Sequence, residues 1–209
     1  MQKAALPVIL MGITLAACSD SPRVLPMVSG TVDTFEDGNH LNAAQKPWEA
    51  IAEGEGTRAS IEVAPGGFFS VSTHHLEVAG VRPEGGQGPT VVGVRSAITE
   101  SPPAADPTRD AIARDVTGYA GVSLSLRGSP GTYIVQIGTS TITDFDYYNA
   151  YVEVSGDWAE YRLPYSAFRQ EGFGTPVPWT GRDVTHIAVF ANLEGYFTFG
   201  LDDVRFYSE

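Results

Sequence analysis

The chain has 209 residues, with 25 acidic against 13 basic side chains and a formal net charge of −12. That balance excludes nucleic acid, whose binding draws most of its affinity from a basic face, and electrostatic docking on anionic lipid. Neutral glycans and cations remain as partners, and a single Cys among 23 Gly and 14 Pro describes a turn-rich fold without disulfides.

Residues 1–17 read as a lipoprotein signal peptide. Lys3 precedes an apolar run that is too short, and too interrupted by Pro7 and Gly12, for a spanning helix of about 20 apolar residues. Leu15, Ala16, Ala17 and Cys18 resemble a bacterial lipobox, which implies that Cys18 is acylated; the other reading is an ordinary cleavage site followed by a free thiol. Ser19 stands where inner-membrane lipoproteins usually carry Asp, so the outer membrane of the cell envelope is the expected location. Residues 18–29 then form the acylated Cys and a short tether, and 30–209 a single domain.

No long window of that domain has helical periodicity; short apolar runs recur between turn signals, which predicts an all-β sandwich or barrel. Strands are expected at 31–35, 48–52, 60–63, 68–73, 91–97, 121–127, 132–139, 147–154, 160–164, 186–191 and 196–207, the last allowing an interruption. Segments 82–89 and 100–109 are too rich in Pro and Gly for regular structure. Asp106 and Pro107 would cap a short helix reaching Arg114, and a single turn fits 166–169.

Alternation sorts the side chains of two strands. In GVSLSLRG, Val122, Leu124 and Leu126 share a face and Arg127 points away from it. The turn at 128–131 makes the next strand its hairpin partner. There Tyr133, Val135 and Ile137 alternate with Ile134, Gln136 and Gly138, so one face is bulky and the other ends in a polar Gln beside bare backbone.

TITDFDYYNAY at 141–151 packs four aromatic rings and two carboxylates into eleven residues. A sugar offers a C–H face and a rim of hydroxyls, so a glycan cleft needs aromatic platforms with planar polar side chains beside them. Asp144, Asp146 and Tyr148 fall on one strand face, Tyr147, Asn149 and Tyr151 on the other. The first set, with Arg127, is expected to line the cleft, Tyr147 being held in reserve; buried tyrosines with satisfied hydroxyls are the competing reading. His74 and His75 point to opposite faces and cannot chelate one metal together; His74 would reach the cleft as a hydrogen-bond partner. Trp179 in the loop PVPWTGRD is expected to meet ligand, whereas Trp48 and Trp158 are expected to be structural.

Five motifs occur in order: TFEDG at 34–38, GYAGVSLSLRG at 118–128, TSTITDFDYYNAY at 139–151, DWAEYRLPYSAFRQEGFG at 157–174 and FTFGLDDVRFY at 197–207. Together they resemble the carbohydrate-binding module family 11 domains and the related complex I intermediate-associated protein 30 domain, of the galactose-binding-domain-like superfamily. The resemblance implies a jelly roll of two antiparallel sheets, a polysaccharide or oligosaccharide partner of the β-glucan type on a concave face, and a structural Ca2+. Hard oxygen ligands for that ion would be Glu36 and Asp202, with Asp37 and Asp203 beside them. The intermediate-associated relatives are assembly proteins, so a protein partner is the alternative. An enzyme is the second: Asp144 and Asp146 would lie about 7 Å apart along a strand, and a glycosidase needs two carboxylates across a cleft. No nucleophile elbow, zinc-protease motif or phosphate loop occurs, which favours a non-catalytic reading.

Overall fold

The computed structural model describes residues 24–69, 71–85, 90–99 and 112–209. Cys18, the signal peptide, most of the 106–114 helix, residues 86–89 of the first expected loop and all of the second lie outside the described residues. The described chain runs β1 (Val24–Pro26), β2 (Thr31–Asp33), β3 (Trp48–Glu53), β4 (Arg58–Pro65), β5 (His74–Arg82), β6 (Val91–Ala97), β7 (Ala113–Asp115), β8 (Gly121–Gly128), β9 (Gly131–Thr139), β10 (Tyr148–Val154), β11 (Ala159–Pro164), a 3-10 turn (Tyr165–Ala167), β12 (Val184–Ala191) and β13 (Gly195–Tyr207). Among these residues no helix is long and apolar enough to cross a membrane.

The strands form two sheets, antiparallel except for β1 beside β7. In the seven-stranded sheet β12 lies between β9 and β6, with β10 beyond β9, β3 beyond β6, and β7 bridging the start of β12. The six-stranded sheet is centred on β13, which pairs with β8 on one side and with β5 and then β2 on the other. A bulge at 202–205, where Asp203 takes a φ of 53°, marks the change of partner. One cluster contributed by both sheets, including Trp48, Leu76, Leu124, Tyr133, Ile187 and Phe199, fills the space between them. This is the expected all-β jelly-roll sandwich.

Local departures have local causes. Among the described residues of 68–73 none is in a strand; the strand starts at His74, and its burial alternates from Leu76 to Val81, His75 alone departing because it is buried beside Trp158. Ala113–Asp115 is a strand rather than the end of a helix, pairing with β1 and β12. The pairing of Val24–Pro26 also starts the sheet before Gly30, inside the expected tether. The alternation in β8 holds for Val122, Leu124 and Leu126, yet Ser123 and Ser125 are buried too; both lie opposite the β13 bulge, paired with Arg205 and Asp202.

Candidate functional site

The outer face of the seven-stranded sheet carries one row of residues directly opposite one another across five strands. Asn149 on β10 faces Gln136 on β9, Gln136 faces Ala188 on β12, Ala188 faces Arg95 on β6, and Arg95 faces Glu49 on β3. At about 4.8 Å per strand the row is roughly 19 Å long. It is polar at both ends and low in the middle, where Ala188 supplies only a methyl group.

The β10 end is pre-organised by hydrogen bonds. The Gln136 amide donates to Asn149 Oδ1 at 3.0 Å, and Asn149 donates to Glu171 at 3.1 Å. Glu171 also accepts from the Tyr151 hydroxyl at 2.5 Å; that bond and partial burial push the Tyr151 pKa up to about 12, so the phenol stays protonated. Beside this row Tyr147 packs edge-on against His186, which lies where Gly138 has no side chain. Burial raises the Tyr147 pKa. Burial, and then the charge of Arg95, lower that of His186 to about 4.

The 141–151 stretch therefore divides in the opposite sense to that expected. Tyr148 is opposite Ile137 and faces the core; its hydroxyl donates to the Val177 carbonyl at 2.6 Å. The residue taken to line the cleft is a buried tyrosine with a satisfied hydroxyl, and Tyr147 occupies the outer face with Gln136. Asp146 is 1% exposed because its carboxylate accepts from the backbone N–H groups of Glu171, Gly172 and Gly174 at 2.8, 3.0 and 3.1 Å. Asp144 accepts from Thr175 N–H at 2.6 Å, a bond that lowers its pKa. Both carboxylates shape the 171–175 loop, which presents Phe173, 69% exposed, while Phe145, 75% exposed, projects between them. The two sets divide as alternation predicts, Asp146 and Tyr148 on one side and Tyr147, Asn149 and Tyr151 on the other; what differs is that the Tyr148 set faces inward and the Tyr147 set faces out.

Arg127 is corrected as well: β8 belongs to the other sheet. Its guanidinium donates to Glu77 at 3.0 Å and lies over the Trp158 ring. Trp158 is half-buried on that outer surface rather than in the core. His75 completes the group, 3.0 Å from Glu77 and edge-on to Trp158. His74 is next to the Thr73 hydroxyl on the same sheet, away from Tyr147. Trp179 packs against Tyr148 and Tyr165, so its ring supports the core, not the row.

The four acidic residues proposed for calcium are not gathered. Glu36 accepts from Thr73 N–H and hydroxyl, which lowers its pKa. Asp202 accepts from Phe68 N–H at 2.9 Å, and its burial raises its pKa. Asp203 is paired with Arg205. No group of three or more Asp, Glu, His or Cys among the described residues could hold a metal ion. The carboxylates do not fit one ion held by their side chains; Glu36 and Asp202 instead clamp the segment between β4 and β5 from two sides.

Sequence reasoning missed Arg95, His186, Glu49 and Glu171. Alternation within β6 and β12 would have placed the first two on a single face had the outer face been identified. Glu171 sits in a loop, and only the Asp146 clamp brings it to Tyr151.

The chain matches the model of the complex I intermediate-associated protein 30 family over residues 58–201. No curated protein matches it in sequence. Among solved structures it is similar to a family 11 carbohydrate-binding module from Clostridium thermocellum in complex with a β-1,3-1,4-mixed-linked tetrasaccharide, with a TM-score of 0.62 at 14% identity over 86% of this chain and 95% of that one. It is also similar to the family 11 module of a cellulosomal cellulase of that organism, with a TM-score of 0.56 at 13% identity over 78% and 88% of the two chains. At these identities the likeness establishes the fold.

Proposed function

Since the chain belongs to the complex I intermediate-associated protein 30 family and shares the fold of family 11 carbohydrate-binding modules, we propose that it binds polysaccharide, without catalysis, on the outer face of its seven-stranded sheet. The observation that carries this reading is the row from Asn149 to Glu49. Planar amides that donate and accept in pairs lie in register beside the Tyr147 and Tyr151 rings, which is the chemistry a saccharide's hydroxyl rim and C–H face require. The mixed-linkage tetrasaccharide of the similar structure makes a β-glucan the first ligand to try. Asp144 and Asp146, the pair considered for glycoside hydrolysis, are engaged with loop N–H groups, which favours binding over chemistry.

The test is affinity electrophoresis across a panel of polysaccharides. Retardation by at least one, weakened by Gln136→Ala and Tyr147→Ala in folded protein, is expected; identical mobility in every gel would overturn the reading. The second reading is a protein-assembly role, favoured by exposed Phe145 and Phe173 at the margin of the face, since aromatic side chains anchor protein interfaces as well. We place the protein at the cell envelope, probed by incorporation of labelled fatty acid that Cys18→Ala should abolish.

A further inference from the structure

Toward β3 the outer face opens into a cleft of about 410 Å³ whose walls include Lys46, Glu49, Arg95, Thr185 and His186. Arg95 is opposite Ala188, and His186 is opposite Ala97, the next outward-facing residue of β6. The two are diagonal neighbours, within reach of long side chains. Each carries an unsatisfied side-chain group. Among the described residues the Arg95 side chain makes no hydrogen bond, ion pair or ring contact, although Glu49 stands directly across from it. His186 is 9% exposed, and its Nε2 is buried without a hydrogen-bond partner.

We propose that this cleft binds an acidic group, a carboxylate or sulfate ester, carried by the saccharide on the adjoining row. The inference rests on the reading of this face as a glycan site and names the class of glycan. A guanidinium presents five donors in a planar fork suited to two oxyanion oxygens. His186 forms part of the cleft wall, held by the Thr185 hydroxyl 3.2 Å from its Nδ1; its unpartnered Nε2 becomes a donor to the ligand in the Nε2–H tautomer once the covering Tyr147 ring moves aside. A buried polar atom is ordinarily satisfied by protein or ligand, and none of the described acidic residues forms an ion pair with Arg95. The net charge of −12 slows approach of an acidic polymer, but its influence is screened beyond about 8 Å at physiological ionic strength, so the neighbouring cations decide the contact.

The experiment measures affinities of wild type, Arg95→Gln and Glu49→Gln for three polymers: neutral mixed-linkage β-glucan, polygalacturonate with carboxylates, and carrageenan with sulfate esters. Thermal melting first verifies that each variant is folded. At least one acidic polymer is expected to bind more tightly than the neutral one and to weaken as salt rises. Arg95→Gln should reduce that affinity at least tenfold and the neutral affinity much less, while Glu49→Gln, which removes the opposing charge, should increase it. The preferred polymer identifies the acidic group. Binding of the neutral glucan alone, or an equal loss on neutral and acidic polymers in Arg95→Gln, overturns the acidic cleft and leaves the glycan face standing. Binding to none of the three, extended to no retardation in the wider panel, overturns both.

Discussion

The ring of Tyr147 meets that of His186 edge to face, with centroids 4.8 Å apart and planes at 89°. The tyrosine thus covers the imidazole from solvent and links the 141–151 stretch to the middle of the sheet. Tyr147→Ala should weaken polysaccharide binding by about tenfold, equivalent to about 1.4 kcal/mol. Tyr148→Phe should leave binding intact but cost about 1–2 kcal/mol of stability by stranding the Val177 carbonyl. Binding isotherms beside thermal melts separate the two; reversed effects would return Tyr148 to the ligand face.

The same packing makes His186 a reporter of pH. Its folded pKa of about 4 lies below the ordinary 6.5, so its contribution to stability is complete above about 6.5 and is lost as pH falls toward 4. Each pH unit of displacement is worth about 1.4 kcal/mol. The stability cost of His186→Gln should therefore be greatest at pH 7 and shrink by about 3 kcal/mol by pH 4, read by denaturant titration. Tyr147→Ala, by uncovering the ring, should move its NMR titration upward.

Asp33 behaves in the opposite sense. Burial raises its pKa to about 6 despite hydrogen bonds from Phe35 N–H and Trp48 Nε1–H. Its contribution is full below about 3.8 and is lost as pH rises through 6. The Trp48 indole N–H resonance should shift with a midpoint near pH 6, and Asp33→Ala should abolish that shift.

Asp146→Ala removes the acceptor shared by three loop N–H groups and should cost about 2–4 kcal/mol. Amide exchange at Glu171, Gly172 and Gly174 should accelerate most. Because Glu171 orders Tyr151 and Asn149, binding should weaken as well; unchanged exchange would mean the loop holds its shape without the clamp.

Glu36→Gln and Asp202→Asn should each lower the melting temperature by loosening the segment between β4 and β5. If hydrogen bonds alone account for that clamp, calcium and EDTA give the same melting curve. A rise specific to calcium, lost in Asp202→Asn, would instead show an ion completed by backbone oxygens.

The sandwich was legible in the sequence because alternation in segments such as GVSLSLRG reports which side faces the core, and because the order of five motifs reports topology. The site was legible only in part. Alternation separated Tyr147 from Tyr148 as the structure does, but period two cannot say which of two faces points outward, and the space beside Gly138, expected to be bare backbone, is filled by the His186 ring. Arg127 was assigned to the wrong sheet because a hairpin between β8 and β9 was expected to stay in one sheet. The turn at 128–131 instead carries the chain across the sandwich, and no local pattern distinguishes the two. Arg95 and His186 escaped notice because their significance lies in an unpaired guanidinium and an unpartnered Nε2, which only three-dimensional neighbours reveal.

The position of β13 governs how the protein must be made. The central strand of the six-stranded sheet spans residues 195–207, after every one of its neighbours, so β5 and β8 emerge from the ribosome with no strand to separate and join them. A product truncated at residue 194 would therefore expose two long unpaired edges of the kind that recruit other chains.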